Sequence, residues 1–386
     1  MKDTLSPLRA FQERLLETLN PEHRQQGHIL DQHCLWQDDA FNEAALELAF
    51  LQGQANPHFG ALLAQNRSGH GSLAHWHQIP CVPTHVYKAF EWSCIPEDHR
   101  TSVFHSSGTT RRQTSRHWHS EVSLQLYETL LLAWCREHLP WGTGTSESGA
   151  CIFLTPEPGR TPHSSLAHMF ATIAFALKGK MTSRFLGDLS AAHQWTLPLE
   201  ETVRVLSDLD RPVHVFGTAF LFVHLLDYLA REDRQLTLPA GSLLFETGGY
   251  KGQSRELSKQ RFHEDLATAL GIRRERILCE YGMSELSSQA YDLEILSSMH
   301  PEPACRPRYF RFPPWARVRV ISPETGSEVG IGETGMVHVI DLANVWSSVS
   351  VLTEDIAVRQ HGGFELLGRL KAAEQRGCSL LSADLA

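Results

Sequence analysis

The stretch Ser242-Leu243-Leu244-Phe245-Glu246, followed closely by Gly248-Gly249, decides the fold class of this chain. A short apolar run that a glycine turn closes is typical of a buried strand. Two further runs of this kind flank it, at Val213-His214-Val215-Phe216-Gly217 and at Arg276-Ile277-Leu278-Cys279. We therefore predict three buried strands that follow one another along the chain.

Helical patterns separate these predicted strands. Residues 219–229 form an apolar helix pattern, and a second helix is predicted to begin at the N-cap Ser254 and to stop at Gly271. Strand, glycine turn, helix and strand at this spacing predict parallel βαβ units and an α/β fold. Ligands of such sheets bind at the carboxyl ends of the strands, so the loops that follow the strands are the first candidates for chemistry.

The rest of the chain extends the pattern on both sides. Apolar periodicity predicts helices at 119–138 and 163–177 and a strand at 151–154, whereas the first hundred residues look helical and loop-rich. After Pro314 the pattern changes to alternating strands, which predicts a smaller β-rich subdomain at about 315–367.

Composition excludes several classes of protein. The 386 residues carry 35 basic and 44 acidic side chains, a formal charge of −9, which argues against a general affinity for nucleic acid. No apolar run reaches the roughly 18 residues of a membrane span, and the N-terminus lacks the apolar core of a secretory signal. The eight cysteines form no Cys-x-x-Cys pair, so neither a zinc site nor a disulfide framework is indicated. We predict a cytoplasmic protein.

The first segment with chemical potential is His105-Ser106-Ser107-Gly108-Thr109-Thr110, which precedes a basic run and a long helix. Hydroxyls and free backbone N–H groups in a glycine turn can surround phosphate oxygens, and a following helix N-terminus adds positive potential. The alternative is an ordinary polar turn. The lysine of the P-loop motif is absent from this segment.

Two more segments follow predicted strands. Glu280-Tyr281-Gly282-Met283-Ser284-Glu285 combines an aromatic ring, a hydroxyl and a carboxylate that suit a nucleobase, a phosphate and a magnesium ion. Glu246-Thr247-Gly248-Gly249-Tyr250-Lys251-Gly252 allows the backbone to approach a flat ligand closely. Each segment by itself is also compatible with an ordinary turn.

The C-terminal part contains two further candidates. Asp355 could accept hydrogen bonds from two ribose hydroxyls. The segment that begins at Gly368-Arg369 continues through Arg376-Gly377-Cys378-Ser379-Leu380. Its alternative is a polar tail in which Cys378 is only a small apolar residue.

Together and in this order, the five segments resemble those of the adenylate-forming superfamily of acyl-CoA synthetases, peptide-synthetase adenylation domains and firefly luciferase. Within it, the chain looks most like the acyl-protein synthetase (LuxE-type) branch of the fatty acid reductase complex. That closer similarity covers residues from about 79 to the C-terminus. It rests on Ile79-Pro80 with Val82-Pro83 and Lys88, His163-Ser164-Ser165-Leu166-Ala167-His168-Met169, Phe216-Gly217-Thr218-Ala219-Phe220, Thr247-Gly248-Gly249-Tyr250-Lys251-Gly252 and the Arg-Gly-Cys-Ser-Leu segment.

The resemblance implies ATP and Mg²⁺ as cofactors and a role for each matching residue. Ser106, Ser107, Gly108, Thr109 and Thr110 would hold the triphosphate. Gly248 and Gly249 would line one face of the adenine, with Tyr281 and Gly282 on the other side. Ser284 would reach the α-phosphate, Glu285 would hold magnesium, Asp355 would bind the ribose and Arg369 would support it. Cys378 would accept the acyl group, helped by Arg376, which favours a thiolate.

Two departures from the family pattern matter. Arg111 stands where the family usually has glycine, so it either binds phosphate or indicates that the loop has lost its turn. Larger relatives continue for about a hundred residues past the Gly-Arg hinge into a domain with a helpful lysine. We expect that domain to be largely absent, with a large domain at 1–367 and a short tail at 368–386. Lys251 and Lys371 are the candidates for a substitute cation.

The expected function is ATP-dependent activation of a carboxylic acid to an acyl-adenylate, followed by transfer of the acyl group to Cys378. A fatty acid is the expected substrate. The alternatives are a ligase that delivers the acyl group to a carrier protein or CoA, and a nucleotide-binding homologue without turnover. The resemblance implies an acyl reductase and an acyl-donor thioesterase, or a carrier protein, as partners. We place the acyl pocket under the helices at 163–177 and 218–228, whose leucines and phenylalanines are alternatively plain core residues.

Overall fold

A computed structural model of the protein describes residues 5–18, 37–70, 73–106, 114–139, 149–250, 254–292 and 308–369. The helices are α1 (Ser6–Glu17), α2 (Asp38–Ala55), α3 (Pro57–His70), α4 (Val86–Ala89), α5 (Glu121–His138), α6 (Ser165–Ala176), α7 (Leu199–Ser207), α8 (Ala219–Arg231) and α9 (Lys259–Leu270). The strands are β1 (Val82–Pro83), β2 (Ser102–His105), β3 (Arg116–His119), β4 (Gly149–Phe153), β5 (Met181–Phe185), β6 (Asp188–Leu189), β7 (Trp195–Thr196), β8 (Val213–Thr218), β9 (Leu243–Thr247), β10 (Ile277–Tyr281), β11 (Ala290–Tyr291), β12 (Ala316–Ile321), β13 (Thr334–Asp341), β14 (Ser350–Gln360) and β15 (Gly363–Arg369).

The chain divides into two compact units. Unit 1 comprises Met1–Trp134, Met283–Ala290 and Pro307–Ala386, and unit 2 comprises Cys135–Gly282 and Tyr291–Arg306. The predicted boundary near residue 367 stays a prediction, because the tail that follows lies outside the described residues. No described helix combines the length and the apolar character that crossing a membrane requires.

Unit 2 contains the predicted α/β architecture. Its sheet has the strand order β11-β10-β9-β8-β4-β5, and the strands from β10 to β5 run parallel to their neighbours. One face packs against α8 and α9 through a cluster that includes Leu244 and Ile277. The other face carries the rings of Phe153, Phe216 and Phe245, which α6 covers with Phe170. Since both faces are buried, the strands are continuously apolar rather than alternating.

One predicted helix start is wrong. Helix α9 begins after Ser258, whose Oγ accepts a hydrogen bond from the Arg261 backbone N–H at 3.3 Å, and not after Ser254. Both serines are good N-cap residues by type, so only the packing of the helix decides between them. The predicted end is confirmed, since Gly271 adopts the left-handed conformation with φ 60°.

Unit 1 contains the β-rich part of the chain. Strands β1, β14, β13 and β12 are neighbours in this order, and β15 pairs with β14 on the same sheet. The strands predicted around residues 318–340 and 364–366 are confirmed as β12, β13 and β15. The sequence patterns did not indicate β14, the long strand that carries Asp355, nor its parallel pairing with β1.

Candidate active site

The segment after β10 carries a buried hydroxyl and a buried carboxylate in contact. Ser284 and Glu285 are 5% and 4% exposed, and the Ser284 Oγ donates a hydrogen bond to Glu285 Oε2 at 2.9 Å. Ser284 is predicted to reach the α-phosphate and Glu285 to hold magnesium, and both residues belong to unit 1. A carboxylate that is buried yet hydrogen-bonded keeps its oxygens in a defined position.

One end of the hydroxyl-rich loop contacts this segment, and it is hydrogen-bonded to the other end of the loop. The Ser115 backbone N–H donates to Ser106 Oγ at 3.1 Å, and the Ser115 and Ser284 hydroxyls are 3.5 Å apart. The residues between these ends lie outside the described part of the chain, which includes Ser107, Gly108, Thr109, Thr110 and Arg111. The structure therefore joins the flanks of the predicted phosphate loop to Ser284.

A histidine fixes the backbone at Ser284. His117 on β3 is 2% exposed, and its Nδ1 lies 2.5 Å from the Ser284 carbonyl oxygen. Because the carbonyl only accepts, the ring donates from Nδ1. Burial lowers the pKa of His117 to about 4 even though the hydrogen bond to Ser284 opposes this shift, so the ring is neutral at pH 7.

Asp341, the last residue of β13, and Asn344, just beyond this strand, hold the rest of the segment. The Asp341 carboxylate accepts hydrogen bonds from the backbone N–H groups of Ser287 and Ser288 and from the Ser288 hydroxyl, at 2.7–3.0 Å. The Asn344 Nδ2 donates to the Glu285 carbonyl at 3.0 Å. Burial raises the pKa of Asp341 to about 6, although the donors around it favour the ionised form.

Unit 2 places the predicted adenine-binding residues at neighbouring strand ends. Glu280 pairs with Thr247 in the register of β10 and β9, so Tyr281 and Gly248 each lie one residue beyond that pair. Gly248 has φ 69°, which favours glycine, and a side chain at Gly248 or Gly249 would meet no atom within 4 Å. Tyr281 is 6% exposed, whereas Gly282 is exposed.

Buried polar pairs support these strand ends. The Thr247 hydroxyl donates to the Glu280 carboxyl group, and His263 Nε2 lies 3.1 Å from Glu246 Oε1. Asp292 accepts from the Cys279 backbone N–H at 2.8 Å. Burial raises the pKa of Glu280 to about 7, so part of its population is protonated at neutral pH. Hydrogen-bonded pairs of this kind hold the strand ends in one arrangement.

The two residues predicted at the ribose form an ion pair in unit 1. Asp355 on β14 and Arg369 on β15 are register partners, and Arg369 Nε lies 3.0 Å from Asp355 Oδ1. The Asp355 side chain is 8% exposed and the Arg369 side chain is 69% exposed. The structure brings the pair together, and its role toward ribose stays a prediction.

The three remaining predicted catalytic residues, Lys251, Lys371 and Cys378, lie outside the described residues. The described cysteines are free thiols. Burial raises the pKa of Cys81 to about 11. Burial also raises the pKa of the other four thiols well above the usual value, those of Cys94, Cys135, Cys151 and Cys279. None of these described thiols is poised as a thiolate nucleophile.

The space predicted for the acyl pocket is densely packed in the described residues. Phe170 of α6 is fully buried, with ring centroids 5.4–5.9 Å from those of Phe153, Phe216 and Phe245. The inner face of α8 belongs to the apolar cluster on the opposite side of the sheet. The buried phenylalanines and leucines of these two helices are therefore explained as core residues of the sheet.

Sequence reasoning missed four of the residues that organise this site: Ser115, His117, Asp341 and Asn344. Ser115 and His117 are about 170 positions from Ser284 in sequence, and no local pattern distinguishes them from other polar residues. The only available signal was Asp341 at the end of an apolar strand pattern.

A family model described as "Acyl-protein synthetase, LuxE" matches residues 72–385. A structure of 2-hydroxyisobutyryl-CoA ligase in an open conformation, in complex with 2-HIB-AMP and CoA, superposes with a TM-score of 0.60 at 12% identity, covering 87% of this chain and 75% of that chain. This likeness shows the fold.

Two other adenylate-forming enzymes are less similar. ATP-bound MatB from Rhodopseudomonas palustris gives a TM-score of 0.48 at 15% identity, covering 71% of this chain and 49% of that chain. The luciferase-like enzyme from the nonluminescent Zophobas morio mealworm gives a TM-score of 0.46 at 14% identity, covering 72% and 59%. The chain thus spans about half the length of the MatB structure it matches. No curated protein matches the sequence significantly.

Proposed function

We propose an enzymatic activity for this chain because it belongs to the acyl-protein synthetase LuxE family and has the fold of the adenylate-forming enzymes. The proposed activity is the ATP-dependent conversion of a carboxylic acid to an acyl-adenylate, followed by transfer of the acyl group to a thiol. The observation that carries it is the hydrogen-bonded set of Ser106, Ser115, Ser284 and Glu285, in which serine hydroxyls lie beside a buried carboxyl group. Groups of these types suit phosphate oxygens and Mg²⁺.

In the first step, a carboxylate oxygen of the acid attacks the α-phosphorus of ATP. The new bond is a C–O–P linkage, the bond from the α-phosphorus to the bridging oxygen breaks, and pyrophosphate leaves. Negative charge grows on the phosphoryl oxygens, so hydroxyl donors that are already in position lower the barrier. The Ser284 hydroxyl supplies such a donor at the α-phosphate when its proton turns from Glu285 to the nucleotide. Ser106 with the loop residues Ser107, Gly108, Thr109 and Thr110 binds the outer phosphates.

Magnesium fits this arrangement as an ion that arrives with the nucleotide. Within the described residues, His, Cys, Asp and Glu side chains form no group of three or more that would hold a metal by themselves. Mg²⁺ commonly binds through one or two carboxylates and the substrate phosphates, and Glu285 offers one buried carboxylate beside Ser284. When bound, the ion neutralises charge on the leaving phosphates.

The nucleoside end of ATP is assigned to the remaining matched residues. Gly248 and Gly249 offer an open backbone surface for the adenine, with Tyr281 and Gly282 following the neighbouring strand. Asp355, which Arg369 holds in place, accepts hydrogen bonds from the ribose hydroxyls. Lys251 and Lys371 are the proposed sources of a cation near the reacting groups.

In the second step, a thiolate attacks the acyl carbonyl carbon, the thioester forms, and AMP leaves. We assign the acceptor to Cys378, whose thiol proton is lost before attack. This assignment is supported by the raised pKa values of the five described cysteines, which leave thiols elsewhere in the chain as better nucleophiles. A fatty acid as substrate, a cytoplasmic location and an acyl reductase with an acyl-donor thioesterase as partners belong to the same proposal.

Pyrophosphate exchange tests the first step. Purified protein is incubated with ATP, Mg²⁺, labelled pyrophosphate and a panel of carboxylic acids. We expect exchange with at least one acid, its loss in Glu285→Ala, and its retention in Cys378→Ala. If no acid supports exchange, a nucleotide-binding homologue without turnover replaces this proposal, and loss of exchange in Cys378→Ala contradicts the assigned division of roles.

Intact mass spectrometry after incubation with ATP and the active acid tests the second step. An acyl adduct that disappears in Cys378→Ala supports self-acylation. Cys34→Ala and Cys305→Ala, the other cysteines outside the described residues, are the matched controls and should keep the adduct. Acyl-adenylate formation without any adduct would instead favour a carrier protein or CoA as the acceptor.

A further inference from the structure

The connection between β13 and β14 is unusual because it is entirely buried. Residues 342–349 are all buried, although most connections run over the protein surface. A buried connection needs a partner for each backbone N–H and C=O group, because water cannot supply it. The side chains that hydrogen-bond to these backbone groups therefore fix the position of residues 342–349.

Gln52 on α2 provides three of these partners. Its Nε2 donates to the Asn344 and Val345 carbonyls at 2.8 and 3.0 Å. Its Oε1 accepts from the Val349 backbone N–H at 2.8 Å. Gln52 is fully buried, and it precedes residue 72, where the match to the family model begins. A side chain outside the matched region thus binds both ends of the buried connection.

Asn344 continues the contact toward Glu285. Its backbone carbonyl binds Gln52, while its side-chain Nδ2 donates to the Glu285 carbonyl at 3.0 Å and to the Ser348 carbonyl at 2.8 Å. The Asn344 Oδ1 accepts from the Ser287 hydroxyl at 3.2 Å. Gln52 holds the backbone of Asn344, and the side chain of Asn344 holds the backbone of Glu285.

We propose that Gln52, which lies outside the family match, is a positioning residue for Glu285 in adenylation. This inference rests on the proposed function. Every group in the path from Gln52 to Glu285 is buried and hydrogen-bonded within unit 1. Water therefore cannot replace hydrogen bonds that are lost when Gln52 is substituted. Displacements of about 1 Å at a catalytic group can lower a rate about 100-fold.

Two substitutions separate positioning from simple loss of stability. Gln52→Met keeps a similar volume but removes all three hydrogen bonds. Gln52→Glu keeps the acceptor for Val349 but, when ionised, places negative charge against two carbonyl oxygens. Protonation of the introduced carboxyl group restores one donor. Leu48→Ala is the matched control, one turn earlier on α2 and at an equally buried position. It destabilises the core without removing the hydrogen bonds that Gln52 makes.

The measurement is the kcat and KM for ATP in pyrophosphate exchange, each corrected for the folded fraction and expressed relative to wild type. We expect Gln52→Met to lose kcat about 10-fold or more at pH 6 and pH 8. Gln52→Glu should show a similar loss at pH 8 and recover part of it at pH 6. Leu48→Ala should lower the melting temperature while kcat stays within about twofold of wild type.

Amide hydrogen exchange of the peptide that contains residues 283–288 is the second readout. We expect faster exchange in both Gln52 variants than in Leu48→Ala at equal global stability. A wild-type kcat in Gln52→Met, or an equal loss in Leu48→Ala, overturns the positioning role while leaving the proposed function intact. If Gln52→Met does not fold, the pH 6 to pH 8 ratio of Gln52→Glu decides. Absence of exchange in the wild-type protein overturns both proposals.

Discussion

The Ser284 carbonyl accepts a hydrogen bond from a neutral, buried His117 ring, and this contact holds the backbone at the proposed phosphate site. We expect His117→Phe to leave that carbonyl buried without a donor, which costs about 1–3 kcal/mol of stability. Because the Ser284 backbone is then no longer held in place, the pyrophosphate exchange rate should fall about 10-fold. His117→Asn can still donate from its amide and should keep most of the rate.

The pH dependence distinguishes this role from proton transfer. Because the pKa of His117 is lowered to about 4, its ring does not titrate between pH 6 and 9. The ratio of the His117→Asn rate to the wild-type rate should therefore be constant over that range. A ratio that changes around pH 6.5 would mean that the ring titrates during the reaction.

Glu280 is a second residue whose burial has a measurable consequence. Burial raises its pKa from 4.5 to about 7, so the folded protein binds the proton more tightly than the unfolded chain. The stability that this proton contributes is fully present below pH 4.5 and is lost as the pH rises through 7. We expect Glu280→Gln, which can still accept from Thr247, to gain stability relative to wild type between pH 5 and pH 8, on the order of 3 kcal/mol.

Urea denaturation at both pH values measures this difference. The exposed Glu256→Gln substitution in unit 2 is the matched control, and it should shift the free energy of unfolding by no more than about 0.5 kcal/mol at either pH. A difference between Glu280→Gln and wild type that does not grow with pH would show that Glu280 is ionised throughout.

Among the elements, α9 tests how tertiary contacts select a helix start. Ser258 caps the helix, whereas the Ser254 hydroxyl bonds to the neighbouring Arg255 carbonyl at 3.2 Å. Ser258→Ala should lower the free energy of unfolding by about 1 kcal/mol. Ser254→Ala, the control of identical chemistry, should change it by less than about 0.5 kcal/mol. Equal effects in chemical denaturation would contradict the assigned helix start.

At the scale of the whole molecule, nucleotide binding should stabilise the native chain. A ligand at 100 times its Kd adds about 2.7 kcal/mol to the free energy of unfolding. We expect ATP with Mg²⁺ to raise the melting temperature, EDTA to reduce that rise, and Glu285→Ala and Tyr281→Ala each to diminish it. A melting temperature that ATP leaves unchanged at millimolar concentration would argue against a nucleotide site.

Local sequence patterns were sufficient to predict the strands that precede the candidate site. The apolar runs and glycine turns around Gly248 and Tyr281 predicted β9, β10 and their parallel neighbours, because a strand buried on both faces must be apolar throughout. The order of the motifs also indicated Ser284, Glu285, Asp355 and the family. Strand β14 was missed because its polar residues interrupt the apolar pattern.

Contacts between distant residues required the tertiary structure. Gln52 binds Asn344 and Val349 across nearly 300 positions, and His117 meets Ser284 across 167. A glutamine or histidine has the same local sequence signal whether it lies in solvent or in the core. Its function here comes from the buried carbonyl and N–H groups that folding places beside it, and composition and periodicity contain no information about those partners.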